Sequence, residues 1–272
     1  MAKAAEKSKD KFDEKIAIYR AAVQDICKQE QDIIDTVKKG NSDYGIKQLE
    51  LSEIMLNLSS NYLIMNSMSI SILGQKNEEM LNDARKSIYK SIIYLEGIVS
   101  KFVDASYSDY EEQLEMINAV TPAERYLLIR KMGLTIQLLE NAYGDNTKWK
   151  WAFVDLEGRY TTVAKNIINM RDYFLNSDPG SPHYQPTVFH LRLVKKLLEQ
   201  AAKRYREKYE LSTNLIDDFK MGISYLSALK RMNILSGDQL DADISKKKLD
   251  TWTNKLNADM SKQEKTSPGK KG

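Results

Sequence analysis

The residues that most often bind metals or act as nucleophiles are scarce in this sequence, which has two histidines, His183 and His190, and one cysteine, Cys27. Neither histidine belongs to a His-Glu-x-x-His zinc motif, and neither follows a glutamate by three residues, as the ligands of a di-iron helical bundle do. Cys27 stands beside Ile26 in a helical pattern, which favours a buried or half-buried small apolar residue over a reactive thiol. The sequence therefore predicts no metal site and no cofactor.

Acid–base chemistry is not predicted either. Adjacent residues on a helix point in different directions, so neighbouring carboxylates cannot share a site as a catalytic dyad does. The neighbouring acidic pairs are Glu78-Glu79, Glu111-Glu112 and Asp217-Asp218. The glycine-containing segment 40–47 differs from a phosphate loop, because no Ser or Thr follows Lys47 and no apolar strand precedes the segment. We expect no catalytic residues and a non-enzymatic protein.

Basic and acidic residues are almost balanced, with 41 Lys and Arg against 38 Asp and Glu. The densest basic stretch, residues 195–208, interleaves Tyr205 with lysines and arginines, a composition that can bind single-stranded nucleic acid. Acidic residues interrupt it, and Glu199 with Lys203 forms a favourable i,i+4 pair typical of a solvated helix surface. We therefore do not expect nucleic acid as a partner. If the segment did bind nucleic acid, the affinity would fall with rising salt concentration.

Tyrosine is frequent, with fifteen tyrosines against six phenylalanines. Tyrosine and tryptophan combine a large rigid contact area with a polar tip, and protein interfaces are enriched in them. Several tyrosines lie near predicted loops or on faces predicted to be exposed, and two tryptophans point to different sides of one predicted helix. The residues predicted to contact a partner protein are Tyr107, Tyr110, Trp149, Trp151, Tyr184, Tyr205 and Tyr209.

Long helices must position these side chains, because only 12 glycines and 5 prolines interrupt the 272 residues. The first predicted helix, 8–39, carries a heptad seam that only Glu30 interrupts. The second, 45–73, has no charged residue from Ile54 to Gln75, but its Ser and Asn residues argue against a membrane span. Its wide apolar face is predicted to be buried within the molecule or, alternatively, by a partner subunit.

Further helices follow. One is predicted over 78–103, with Leu81, Ile88, Leu95 and Phe102 on one heptad row. A short helix begins at Ser108, and the segment Thr121-Pro122-Ala123-Glu124 is a capping box that opens a helix to about Ala142. The helix predicted over 147–175 has an unbroken seam. Residues 187–235 are predicted to form one long helix. This helix either kinks near Ser212 or Gly222, or it makes the molecule elongated. A last helix is predicted over 239–260.

Three prolines within eight residues mark the one strong boundary, which no helix is expected to cross. The predicted fold is all-α, an elongated bundle of long amphipathic, coiled-coil-like helices. Its predicted parts are an N-terminal helical bundle over 1–176, a Pro-rich loop over 177–186, a C-terminal long-helix segment over 187–260 that packs on the bundle, and a disordered basic tail over 261–272.

The run from Val188 to Tyr209, VFHLRLVKKLLEQAAKRYREKY, together with the helices rich in Tyr, Met, Asn and Ser before it, resembles the periplasmic flagellar coiling (sheath) proteins of spirochaetes. Members of that family are all-helical and elongated and coat the flagellar filament. The resemblance lies in the helix pattern rather than in a motif, so it transfers no functional residue. It implies lateral packing of copies along a filament.

These features predict a non-enzymatic structural or assembly protein that coats or shapes a flagellar filament. The alternative is a cytosolic adaptor or regulator that binds a partner helix in a groove. The expected partners are other proteins, namely filament or sheath subunits under the first hypothesis, and self-association would add further copies of this chain. Neither nucleic-acid binding nor membrane insertion is expected. Residues 1–7 lack an apolar signal region. The expected location is therefore the periplasm for a mature form whose signal has been removed, and otherwise the cytoplasm.

Overall fold

The computed structural model describes residues 2–37, 43–144 and 147–266, and all regular structure within these ranges is helical, which confirms the predicted all-α class. A 3-10 turn spans Tyr107–Asp109 and a π-helical turn spans Tyr209–Thr213. The α-helices are α1 (Ala2–Thr36), α2 (Tyr44–Leu73), α3 (Glu78–Glu96), α4 (Glu111–Glu115), α5 (Pro122–Tyr143), α6 (Lys150–Asn166), α7 (Met170–Asn176), α8 (Tyr184–Lys208), α9 (Ile216–Leu235) and α10 (Gln239–Thr266).

The chain divides into two compact units. Unit 1 comprises residues 1–101 and 107–187, and unit 2 comprises residues 102–106 and 188–272. The division after Thr187 lies beside the predicted Pro-rich loop. No helix crosses 177–186, as expected, but α8 begins at Tyr184 rather than at the predicted residue 187. It takes Pro186 into its first turn, where a missing N–H breaks no helical hydrogen bond.

Helix α2 lies at the centre of unit 1, in contact with α1, α3 and α5. Its uncharged stretch is buried within the molecule on most sides, as the first of the two predicted alternatives requires. Small polar residues let α3 approach: the Ser52 and Ser91 hydroxyls lie 2.8 Å apart, and Ser91 also donates to the Ser52 carbonyl at 2.9 Å. Within the described ranges no helix has both the length and the apolar character needed to cross a membrane.

The heptad seam of α1 packs on α2. Phe12 and Ile16 contact Met65, and Ile26 packs against Met55. The residue that interrupts the seam, Glu30, is nevertheless buried. Its carboxylate is held by partners from α3, which supply a hydroxyl donor and a lysine ammonium group. A polar residue at a seam position is therefore tolerated because a second helix neutralises it.

Helix α3 is shorter than the predicted 78–103. It ends at Glu96, where the Gly97 N–H donates to the Tyr94 carbonyl at 3.1 Å and closes a tight last turn. The backbone of Gly97 runs against α2, and a Cβ atom there would lie 3.3 Å from the Tyr44 hydroxyl. Phe102, predicted on the buried row of this helix, is exposed because the chain has already left the helix.

The capping box at the start of α5 is confirmed. Thr121 Oγ1 accepts from the Glu124 N–H at 3.3 Å, and Glu124 Oε2 accepts from the Thr121 N–H at 2.8 Å. These two bonds satisfy backbone donors that the first helical turn leaves open, and Pro122 occupies the first helical position, where no N–H is needed.

The single helix predicted over 147–175 is wrong, because the chain forms α6 and α7 with a break between them. Asn169 Oδ1 accepts from the backbone N–H groups of Arg171 and Asp172, and so caps a new helix. Phe174, the last residue of the predicted seam, is consequently exposed. An asparagine that can cap a helix competes with continuation of the preceding one.

In unit 2 the predicted long helix is broken near Ser212, which was one of the open alternatives. The π-helical turn ends at Asn214, which has a left-handed backbone (φ 49°), and α9 then packs against α8. Gly222 lies within α9 without a kink. It allows close helix packing, since a Cβ atom at this position would lie 3.1 Å from the Ala202 carbonyl oxygen of α8.

Helix α10 packs on α9 and extends to Thr266, past the predicted start of the disordered tail. Residues 267–272 of that predicted tail lie outside the described residues. Trp252 and Leu256 are buried as predicted, whereas Leu240 and Ile244 are exposed. The small residues Ala242 and Ser245 of α10 are buried instead.

Candidate protein-interaction surface

Three of the aromatic residues predicted to be exposed, Tyr110, Tyr205 and Tyr209, are buried, so that prediction is wrong for them. In unit 2, Tyr205 stacks on Tyr225 with ring centroids 5.5 Å apart, and Tyr209 stacks on Phe219 at 5.0 Å. Stacked rings of this kind fill the space between α8 and α9. These side chains belong to the core and cannot reach a partner protein without unfolding.

The other four predicted interface residues are half-buried. The Tyr107 hydroxyl donates to Asn169 Oδ1 at 2.9 Å, and partial burial together with Glu111 raises the pKa of Tyr107. These residues are Tyr107 in the turn before α4, Trp149 and Trp151 at the start of α6, and Tyr184 at the start of α8. Their exposed parts lie on three separate segments of unit 1.

Trp149 shows why these rings are only half-exposed. The Arg85 guanidinium lies 4.4 Å from the centroid of its indole ring, and the Tyr143 ring packs against it edge to face at 6.4 Å. Trp151 carries the Lys150 ammonium group 5.0 Å from its ring centroid. Cation–π contacts cover part of each indole surface. A partner would therefore gain less from burying these rings than their size suggests.

The residue types that could hold a metal or act as nucleophiles do not converge. Among the described residues no three His, Cys, Asp or Glu side chains form a group that could bind a metal ion. His190 is buried and His183 half-buried. Cys27 is exposed on α1, not half-buried as expected. Partial burial of its thiol and the nearby Glu30 carboxylate raise the pKa of Cys27, which disfavours the reactive thiolate.

A groove of about 550 Å³ runs between α2 and α5 in unit 1. Both helices lie in unit 1, where α5 contacts α2 and α3. The groove is lined by side chains from two consecutive turns of each helix: Glu53, Ile54, Leu56, Asn57 and Ser60 of α2, and Lys131, Leu134, Thr135 and Leu138 of α5.

One wall of this groove is a row of exposed leucines on α5. Leu134 and Leu138, which line the groove, are 57% and 48% exposed. Leu127, 49% exposed, lies outside the groove on the same face of the helix, seven residues before Leu134. The opposite face of α5 buries a separate apolar row that includes Ile129 and Met132. Helix α5 is therefore apolar on two sides, and only one of them is covered within unit 1.

The α2 wall contributes almost no charge. The lining residues with charge are Glu53 and Lys131, which form an ion pair with each other across the groove. The Ser60 hydroxyl donates to the Leu56 carbonyl and the Thr135 hydroxyl donates to the Lys131 carbonyl, both at 2.9 Å. Because both hydroxyls donate within their own helices, the groove offers mainly apolar surface to a ligand.

Sequence reasoning missed this groove although its signal was present. The heptad analysis named no apolar seam for α5, and its leucines were not separated into two rows. The surface can bury the apolar face of another helix, which is how helix-in-groove recognition works. Its two charged groups neutralise each other, so it has little to offer a charged small molecule.

Comparison with known proteins gives one match. Residues 8–260, almost the whole chain, match the model of the TP0443 family, which is named after a protein of the spirochaete Treponema pallidum. No curated protein and no solved structure matches the chain significantly.

Proposed function

The chain belongs to the TP0443 family, and from that premise we propose that it is a non-enzymatic assembly protein that binds other proteins through its helical surfaces. The observation that carries the proposal is the pair of exposed leucines on α5, Leu134 and Leu138, beside an α2 wall whose one charged group, Glu53, is paired with Lys131. Contiguous apolar surface on a folded protein marks a site of interaction more often than isolated exposed residues do.

The α2–α5 groove suits a helix better than a small molecule. Leu134 and Leu138 stand one turn apart on one wall, so a partner helix can place apolar residues between them at the usual three- and four-residue spacing. Burying the exposed half of each leucine would contribute roughly 1 kcal/mol. The pair formed by Glu53 and Lys131 lines the groove without providing the separated acid and base that catalysis would need.

In its more specific form, the proposal is that the partners are subunits of a flagellar filament in the periplasm, coated or shaped by lateral packing of this chain. The resemblance of residues 188–209 to spirochaete sheath proteins supports it, as does the spirochaete protein after which the family is named. The second candidate is an adaptor that binds a single partner helix in the α2–α5 groove, which the shape of that groove favours.

Co-sedimentation with flagellar filaments purified from a spirochaete tests the filament proposal. We expect the purified wild-type chain to pellet with the filaments, and the double variant Leu134→Glu, Leu138→Glu to remain in the supernatant. Leu211→Glu, at an exposed leucine in unit 2, is the matched control and should pellet like the wild type. If the wild-type chain stays in the supernatant, the filament role is rejected, and equal pelleting of all three proteins would reject the groove as the contact.

A further inference from the structure

We propose that the α2–α5 groove is occupied by the same groove of a second copy of this chain, in a symmetric dimer. This inference rests on the proposed function and names the partner of its site. Two identical surfaces can associate about a twofold axis only if each is complementary to itself. The charges of this groove meet that condition.

The charge pattern of the groove is self-complementary. Glu53 lies on the α2 wall and Lys131 on the α5 wall, one negative and one positive group at the same level. When two copies face each other about a twofold axis that runs along the groove, each α2 lies over the α5 of the other copy, and the pair that Glu53 and Lys131 form within one chain can exchange partners. Glu53 of one copy then meets Lys131 of the second copy, and the reverse contact forms by symmetry.

The neighbouring surface adds no like-charge contact to this arrangement. Helix α2 has no charged residue from Ile54 to Gln75, so the leucine row of one copy would face neutral side chains of the other. Asn57 and Ser60 are short enough for Leu134 and Leu138 of the second copy to approach the α2 backbone. A strongly basic or acidic partner would find no net charge in this groove, which favours the second copy over such a partner.

Charge reversal provides a test that only an intermolecular contact can pass. Glu53→Lys gives a groove with two positive groups, and Lys131→Glu gives one with two negative groups. In a symmetric dimer each variant alone brings like charges together, whereas a mixture of the two brings opposite charges together. Sedimentation velocity at low salt, over a concentration series, measures the association of each sample.

We expect wild-type chains to associate reversibly to dimers, each single variant to associate at least about tenfold more weakly, and the equimolar mixture to recover wild-type affinity or better as a 1:1 heterodimer. The double variant Glu53→Lys, Lys131→Glu should also recover. Leu134→Glu should abolish association while Leu211→Glu leaves it unchanged, with circular dichroism confirming that both fold. A mixture that associates no better than its components overturns the inference.

The same samples separate this inference from the proposed function. A wild-type chain that is monomeric at every concentration, yet pellets with filaments through its groove leucines, rejects the second copy as occupant and keeps the assembly function. A dimer that behaves as described but does not pellet supports the second copy and rejects the filament role.

Discussion

At the scale of single residues, Arg125 shows how a buried charge can organise the surrounding backbone. Its guanidinium donates to three carbonyls: Nη2 to Ile117 at 2.8 Å, Nε to Val120 at 3.0 Å and Nη1 to Ile167 at 3.2 Å. These carbonyls belong to the segment before α5 and to the end of α6. Burial lowers the pKa of Arg125, but a guanidinium stays charged at neutral pH. One side chain thus connects two backbone segments that are far apart in the sequence.

Replacing Arg125 should therefore cost more than a typical arginine substitution. We expect Arg125→Met to lower the free energy of unfolding by about 2–4 kcal/mol, since three buried carbonyls lose their donor. Arg125→Lys should have a free energy of unfolding between those of the wild type and Arg125→Met, because an ammonium group cannot reach all three carbonyls. Urea denaturation measures both, with the exposed Arg130→Met as control. A loss for Arg125→Met no larger than for Arg130→Met would contradict this role.

Tyr94 gives a prediction on pH. Its hydroxyl donates to the Glu30 carboxylate, which Lys90 also contacts at 2.5 Å. Partial burial, then the hydrogen bond and charge of Glu30, raise the pKa of Tyr94 well above its ordinary value. The folded state therefore holds this proton more tightly than the unfolded chain does. The resulting stabilisation is complete below the unfolded pKa of about 10 and is lost as the pH rises through the folded pKa.

We expect the difference in unfolding free energy between the wild type and Tyr94→Phe to be constant from pH 7 to about pH 9 and to shrink above about pH 10. Urea denaturation at a series of pH values gives this difference, in which the other titrating groups cancel. Parallel curves for the wild type and Tyr94→Phe would show that the Glu30 contact does not hold the proton.

At the scale of the elements, heptad spacing predicted where helices lie better than where they end. The apolar rows of α1, α2 and α3 were identified because burial repeats every three or four residues. The ends at Gly97 and Asn169 were missed because local backbone hydrogen bonds and an asparagine cap, which heptad spacing does not report, decide them. The break near Ser212 was one of two open alternatives. There Asp218 accepts from Thr213 at 2.6 Å and pairs with Lys208 at 3.0 Å, which fixes the turn between α8 and α9.

The candidate site was harder to predict than the fold, for a physical reason. Tyr205 and Tyr209 were assigned to an interface although their spacing of four residues on the α8 seam also fits a core. Exposure cannot be inferred for a tyrosine from its type, because its ring is apolar and its hydroxyl polar. The leucines of α5 became recognisable as a surface once the structure showed which face of α5 is covered by α2 and α3.

Gly133 shows how closely α5 and α6 approach each other. Glycine in a helix interior normally destabilises it relative to alanine by about 1 kcal/mol. Here a Cβ atom would lie 2.5 Å from the Tyr160 hydroxyl, which donates to the Ile129 carbonyl at 3.1 Å. We expect Gly133→Ala to lower the free energy of unfolding by about 1–3 kcal/mol despite the better helix propensity.

Removing the hydroxyl should relieve part of that clash. In a double-mutant cycle, Gly133→Ala should cost less when Tyr160→Phe is already present, with a coupling of about 1 kcal/mol measured by urea denaturation. If Gly133→Ala stabilises the protein in the wild-type background, the contact between Gly133 and Tyr160 is not as close as described.

At the scale of the whole molecule, each unit has a core of its own. In unit 1 the core centres on α2 and α3, where Leu95 and Ile88 are fully buried. In unit 2 it centres on Phe219, which stacks on Tyr209 at 5.0 Å and lies 5.9 Å from the Trp252 ring. Residues that belong to separate cores should affect stability separately.

Core truncation in one unit should therefore leave protection in the other unchanged. Phe219→Ala should destabilise unit 2 by about 3–5 kcal/mol, and Leu95→Ala should destabilise unit 1 by about 2–5 kcal/mol. Hydrogen exchange followed by mass spectrometry reports on each unit separately. Peptides from α8 to α10 should exchange faster only in Phe219→Ala, and peptides from α1 to α3 only in Leu95→Ala. If either substitution accelerates exchange in both units alike, the two cores unfold as one cooperative body. A groove variant in unit 1 could then no longer be compared with a control in unit 2 such as Leu211→Glu.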